Sequence, residues 1–476
     1  MKKEFRAHPL MIVSLMRPFL FVLVLPVLKG VVQYIVSREV TGVLTLEIIL
    51  FAAIVFLAAV RCAAFRLVCG DRTVTVKSGV IFRTSSVMSI SKLSSVQTVQ
   101  NPADAVLGAV TYRINTEAGR RGKADFEFKL SRKDSAEVSK RLYGAENPTA
   151  VRFSVIKVAM MAATTSSAVT GMIVAVPVIN RAGKLLGVAL DRMLIDEINE
   201  VSGEIQSYFP PVVNTISLIF LLAYAVAFVY SFIKYINFSL FLERDKLEVH
   251  SGFFVRSRTS FKKESVNDVL IDQTPLMRIF KRYAMKVSVG GYGGAKGDAA
   301  VIVPSGRHGE IKRQFSIYFP FLAPDGRLLH PTRDRSSRGR FLYFPAVYFL
   351  ITAGISLVLA LIFPDFGRLI LFLMAVAECV VLYYAYLSIF EYRFGKLSLG
   401  KNVYARSVKI FNTCELYCPA DRVGEIRLTR TPPDIRRGTC KARVTVRSEG
   451  ADSIRVRNLD YEELKREIAE HYGIEV

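Results

Sequence analysis

Long apolar runs and alternating polar-apolar stretches succeed one another in the same order three times along this chain. A helix needs about 20 apolar residues to cross a bilayer core of roughly 30 Å. Six runs qualify: Pro18–Val36, Val43–Phe65, Val155–Ile179, Val212–Ile236, Phe341–Phe363 and Gly367–Phe390. They fall in pairs, and a basic, strand-rich block follows each pair. Lys2, Lys3 and Arg6 precede the first run as in a signal peptide. A second run follows closely and no small-residue cleavage site stands out, so the pattern predicts an uncleaved anchor. The third run has a polar centre at Thr164, Thr165, Ser166 and Ser167.

The blocks read as strands. Arg72-Thr73-Val74-Thr75-Val76, Lys246-Leu247-Glu248-Val249 and Arg443-Val444-Thr445-Val446-Arg447 alternate with period two. Ser78-Gly79 and Ser251-Gly252 each close such a strand, and a glycine there permits the positive φ of a tight hairpin turn. Seventeen residues separate Gly79 from Val96 and Gly252 from Val269, and six separate Val96 from Pro102, Val269 from Pro275 and Ile426 from Pro432. Lys409 stands where the third block would carry the glycine, so that block is a divergent copy with a different turn. The stretch Gly290–Gly297 lacks the GxxxxGK[ST] spacing of a phosphate cradle and reads as a hairpin loop. Amphipathic helices end the blocks: one after Ser131, one over Gly309–Tyr318 with Ile311 and Phe315 on one face, and one after Asp460.

This pattern predicts an α+β membrane protein with six transmembrane helices in three hairpins, each hairpin followed by an antiparallel barrel capped by a C-terminal helix. The divisions are a hairpin at 1–65, a block at 66–150 and a hairpin at 151–238 with an outer amphipathic segment over Leu185–Tyr208. A block at 239–323, a basic linker at 324–340, a hairpin at 341–390 and the third block at 391–476 complete the chain.

The net charge of +23 supplies a topology. The excess sits in the three blocks and the N-terminal tail, and the short segments between paired runs lack it. Basic loops stay in the cytoplasm, so all three blocks and both termini are expected there, on a membrane crossed several times. The same rule accounts for the charge without nucleic acid. The linker places Arg333, Arg335, Arg338 and Arg340 just before the fifth run, as a topology signal or as ligands for anionic headgroups at about 1 kcal/mol each. Ionisable residues inside runs are costly and usually paired. Lys29 and Glu47 fall at similar depth on consecutive runs, and Glu378 lies halfway along the sixth with Thr352 or a tyrosine as its expected partner. Six cysteines and five histidines are scattered. No metal cluster, cofactor motif or nucleophile–base pair emerges, so no enzyme and no cofactor are expected.

The Ser-Gly hairpins, the run to Gln-x-Pro, and Pro275-Leu276-Met277-Arg278 resemble the bacterial membrane-flanked PH-like domain family, in particular its long YdbS/YdbT-like members with three units. Pro102-Ala103-Asp104-Ala105 and Pro432-Pro433-Asp434-Ile435 depart from the family's Pro-Leu-x-Arg. The resemblance implies PH-like barrels on the cytoplasmic face of a bacterial plasma membrane, a role at the cell envelope that includes envelope protection, and no defined catalytic residue. Two functions follow. One is a membrane scaffold whose modules bind protein partners or anionic lipid. The other is a transport or export component that uses Glu378, Lys29, Glu47 and the polar third run.

Overall fold

The computed structural model describes residues 3–20, 41–80, 82–116, 124–143, 149–166, 211–243, 245–289, 300–333, 335–447 and 453–473. The chain divides into two compact units. One is Met1–Val151 with Ser239–Ser265; the other is Arg152–Phe238 with Val266–Val289 and Ala299–Val476.

One succession of elements recurs three times: a short strand, apolar helices, three strands, a 3-10 turn, a strand, a one-turn helix, two strands and a closing helix. The first copy runs β1 (Lys3–Arg6), α1 (Met11–Leu20), α2 (Thr41–Ala64), β2 (Arg66–Cys69), β3 (Thr73–Ser78), β4 (Thr84–Ser89), β5 (Leu93–Gln100), α3 (Pro102–Val106), β6 (Ala109–Thr116), β7 (Phe126–Ser131) and α4 (Arg132–Tyr143). The second comprises β8 (Thr149–Arg152), α5 (Val155–Thr165), α6 (Pro211–Tyr235), β9 (Ser239–Leu242), β10 (Lys246–Ser251), β11 (Arg256–Lys262), β12 (Val266–Gln273), α7 (Pro275–Ile279), β13 (Tyr283–Val289), β14 (Ala300–Gly306) and α8 (His308–Tyr318). The third comprises β15 (Leu328–Leu329), α9 (Arg335–Ile362), α10 (Gly367–Phe394), β16 (Lys396–Ser398), β17 (Asn402–Lys409), β18 (Asn412–Pro419), β19 (Val423–Thr429), α11 (Pro432–Arg436), β20 (Thr439–Val446), β21 (Ser453–Asp460) and α12 (Tyr461–Tyr472).

The strand before each set of apolar helices pairs with the strand after it. Phe5 faces Leu67 across β1 and β2, and Leu329 faces Leu397 across β15 and β16. Neighbouring strands lie about 4.8 Å apart, so the sheet clamps the two ends of the helical insertion together. Hydropathy misses these strands because four residues, or two, are too short to show a period.

The alternating stretches bury as their pattern demands. Val74 and Val76 in β3, and Val444 and Val446 in β20, are buried. In β10 Glu248 is buried along with Leu247 and Val249, because it meets His250 and Arg258. Burial alone would raise the Glu248 carboxyl, but the hydrogen bonds and charges of His250 and Arg258 outweigh it and hold the group below its usual value.

The expected closed barrels are not present among the described residues. The sheets are open, with orders β1-β2-β3-β4, β7-β6-β5-β11-β10-β9-β8, β14-β13-β12-β18-β17-β16-β15 and β19-β20-β21. A strand has two edges. β5 gives one to β6 and the other to β11, from Gln100↔Arg256 to Ser95↔Phe261, which leaves none for β4. In the same way β12 is shared between β13 and β18. Each repeat therefore lends an edge to the next one instead of closing on itself.

The six expected membrane spans also need correction. Among the described residues two helices, Ser337–Ile362 and Leu369–Phe394, are long and apolar enough to cross a membrane. Only 6% and 0% of their apolar windows are buried, whereas the core helix of a soluble domain would be covered. Ile49–Ala64, Val155–Thr165 and Ile219–Tyr235 are shorter apolar helices. Residues 21–36 and 167–179 of the first and third runs lie outside the described residues, as do Leu185–Tyr208 and Gly290–Gly297. The helix α5 ends at Thr165, inside the expected third run. Thr165 Oγ1 donates back to the Met161 carbonyl at 2.7 Å, and Ser166 takes an extended ψ of 147°. Such back-bonding by Ser and Thr competes with the helix ladder.

Gly79 and Gly252 adopt φ of +98° and +101°. The third copy makes its turn at Ile410 and Phe411, between Lys409 and Asn412, with Ile410 at φ +57°. A Cβ at Gly79 would run into the Phe82 carbonyl. Gly79→Val should cost about 1–2 kcal/mol or more, while Ile410→Gly should stabilise the fold by about 1 kcal/mol, since a β-branched residue is strained in the left-handed region. Thermal unfolding of the two variants in detergent checks the opposite signs.

Candidate functional site

The third helix hairpin and the strands of the third copy meet through buried charge. Glu391, near the end of α10, is 2% exposed and accepts from Arg457 Nε of β21 at 2.8 Å and from Ser407 Oγ of β17 at 3.2 Å. The Arg457 guanidinium also lies 4.7 Å from the Phe341 ring centroid on α9. Burial would lower the Arg457 pKa, but Glu391 outweighs it and raises the group above its usual value.

The four linker arginines separate. Arg333 is exposed and donates to the Arg393 carbonyl at 3.0 Å, at the C-terminal end of α10 where the helix carbonyls lack partners. Arg335 starts α9, and its side chain lies outside the described residues. Arg338 is exposed. Arg340 turns into its own module: it ion-pairs with Asp434 and donates to Thr431 Oγ1 at 3.2 Å, Thr439 Oγ1 at 3.3 Å and Asn458 Oδ1 at 3.4 Å. Asp434 in turn caps α11 through the Thr431 amide at 2.8 Å.

Asp434 occupies the second position after the proline of the one-turn helix. The first copy has Asp104 there, buried and 2.5 Å from Lys129 Nζ; the second has Met277, also buried. One inward position of the repeat thus holds either an ion pair or an apolar plug. In the second copy the cation sits next to it. Arg278 stacks on Tyr383, Tyr386 and Phe390 of α10 at 5.8, 5.4 and 5.3 Å. Rings, and not a carboxylate, hold that guanidinium.

A cavity of about 520 Å³ opens where the first turns of α9 face α11 and the sheet of β19 to β21. Its polar wall contains Arg340, Arg437, Lys441 and Arg457 with the single carboxylate Asp434; its apolar wall contains Phe341, Tyr343 and Phe344. Burial and the charges of Arg455, Arg457 and Arg443 push the Lys441 ammonium below its usual value. Arg437, Lys441, Arg457 and Glu391 were not singled out from the sequence. Pro432 was read only as a repeat position, and nothing in a strand of alternating arginines tells which of them meets a glutamate 66 residues away.

Glu378 receives a hydrogen bond from Thr352 Oγ1 at 2.7 Å, which joins α10 to α9. Lys29 lies outside the described residues, and so does the side chain of Glu47. Among the described residues no group of three His, Cys, Asp or Glu could hold a metal ion.

The strand, one-turn helix and closing-helix succession of the first two copies has a counterpart in a known family. The model of the bacterial PH domain matches residues 20–147 and again 188–314, together more than half of the chain. The chain belongs to the bacterial PH domain family. No curated protein and no solved structure matches it. The matches begin at the last residue of α1 and beyond α5, after the first strand of their copies, and neither reaches the third copy.

Proposed function

We propose that the chain is a multi-pass plasma-membrane protein, similar to the long three-unit members of the membrane-flanked PH-like family, that holds three PH-like modules against the cytoplasmic face as a binding scaffold. Its ligands are protein partners or anionic lipid at the cell envelope, and its role is binding, not catalysis. The observation that carries this reading is the insertion of the apolar helices between two paired strands, which fixes each module to its helices at both ends. The uncovered apolar faces of α9 and α10 support it. Exposed apolar side chains recur at the hairpin tips: Val80 and Phe82, Phe253 to Val255, and Ile410 with Phe411. In the third copy the tip carbonyl of Phe411 accepts from Tyr383 on α10 at 3.1 Å, so this tip sits beside an apolar helix. The bond from Thr352 to Glu378 fits a clip within one hairpin, and no described geometry favours the transport reading.

Cysteines at Ser85, Ser316 and Glu470, all exposed and one per module, test the topology in a background with Cys379, itself exposed, replaced by serine. A membrane-impermeant maleimide should label none of them in intact bacteria and all of them after permeabilisation. Labelling of any one in intact cells overturns the reading.

A further inference from the structure

The cavity between α9 and the third module carries more than the general reading states. Its four cations face one carboxylate. Asp434 is taken by Arg340, and Glu391 takes Arg457. Arg437 and Lys441 have no ion-pair partner among the described residues, and both line the cavity. Burial first, and then the nearby charges of Arg455, Arg457 and Arg443, hold the Lys441 ammonium below its usual value, and an anion beside it would oppose both. At about 520 Å³ the space is within the size of small-ligand sites.

The position of the cavity narrows the ligand. It lies at the first turns of α9, where the apolar window Ser337–Ile362 begins. Tyr343 and Phe344 form its apolar side and are 61% and 52% exposed. They continue along the helix onto the uncovered face that carries Leu350, Leu357 and Leu361. Aromatic residues at this level are the usual border between headgroups and acyl chains. A soluble phosphate would use the cations and leave the aromatic slope bare. A phospholipid would use both.

We infer that this cavity binds the phosphate of one anionic phospholipid, with Arg437 and Lys441 as phosphate ligands and the acyl chains leaving over Tyr343 and Phe344. Arg340 and Arg457 shape the polar wall from their own ion pairs. The inference rests on the reading that α9 and α10 cross the membrane with the modules on the cytoplasmic side.

The test uses the full-length protein in non-ionic detergent, mixed with phosphatidylglycerol or phosphatidylcholine, with bound lipid counted by native mass spectrometry. The wild type should retain phosphatidylglycerol in preference, and the double variant R437A/K441A should lose about tenfold or more of that retention. The control R132A/K133A removes the same charge from exposed positions on α4 and should keep the preference. Equal retention by R437A/K441A, or no preference in the wild type, overturns the site. Inorganic phosphate alone is a further arm. If it raises the melting temperature of the wild type as much as phosphatidylglycerol does, the lipid assignment is overturned in favour of a soluble phosphate. Correct topology without lipid preference rejects this site alone, whereas maleimide labelling in intact cells rejects the reading beneath it.

Discussion

Glu391→Ala should destabilise the third module by about 3–5 kcal/mol, because it leaves a buried guanidinium without its counter-charge. Arg457 has a side chain 19% exposed, and its Nε and Nη2 both reach Glu391. The Phe341 ring covers one side of the guanidinium, at 4.7 Å from its centroid. The Ser407 hydroxyl loses an acceptor in the same step, although it keeps the Arg455 carbonyl. Glu391→Gln retains the shape and one acceptor and should cost less. The double variant Glu391→Met with Arg457→Met removes both charges and should recover most of the loss, since apolar replacements of buried pairs are often neutral. Thermal or denaturant unfolding of the solubilised chain reads all three. A loss under about 1 kcal/mol for Glu391→Ala would show that this pair does not hold the sheet to α10.

Phe128→Ala is expected to cost about 3–5 kcal/mol through the cavity it leaves in the first module. Phe128 is 1% exposed in β7, with ring centroids 5.5 Å from Phe65 and 5.6 Å from Tyr112. Tyr112 cannot move into the space. Its hydroxyl is held by the Ser135 carbonyl and hydroxyl at 2.9 Å each and by Ser139 Oγ at 2.8 Å. Burial raises the Tyr112 phenol above its usual value even though the Ser135 and Ser139 hydrogen bonds act to lower it. Phe128→Leu fills most of the volume and should cost less than half as much. Similar midpoints for Ala and Leu would mean that the site collapses freely and that Phe128 is not a keystone of this core.

The cap residues show how far local sequence reaches. Asp460 Oδ1 accepts from the Glu463 amide at 2.9 Å and Ser131 Oγ from the Asp134 amide at 3.2 Å, as their spacing indicated. Ile311 and Phe315 share the buried face of α8. Each of these depends on contacts within one turn or two, so the nearest residues decide them. The cavity residues follow another logic. Arg437 and Lys441 matter because α9 arrives above them, and α9 is about a hundred residues away along the chain.

By itself the sequence determined the periodic parts: the paired apolar runs, the alternating strands, the closing helices and the glycine turns at Gly79 and Gly252. These follow from side-chain period and backbone sterics, which act over a few residues. Only the tertiary structure decided which edges meet. A strand's pattern states which face is buried but not which neighbour takes its hydrogen bonds. β5 could have closed a barrel with β4, and it pairs with β11 instead. The same holds for charge: the linker arginines look alike in sequence, yet Asp434 draws Arg340 inward while Arg338 stays exposed. A carboxylate brought within reach by folding makes that difference, and it acts through space and not along the chain.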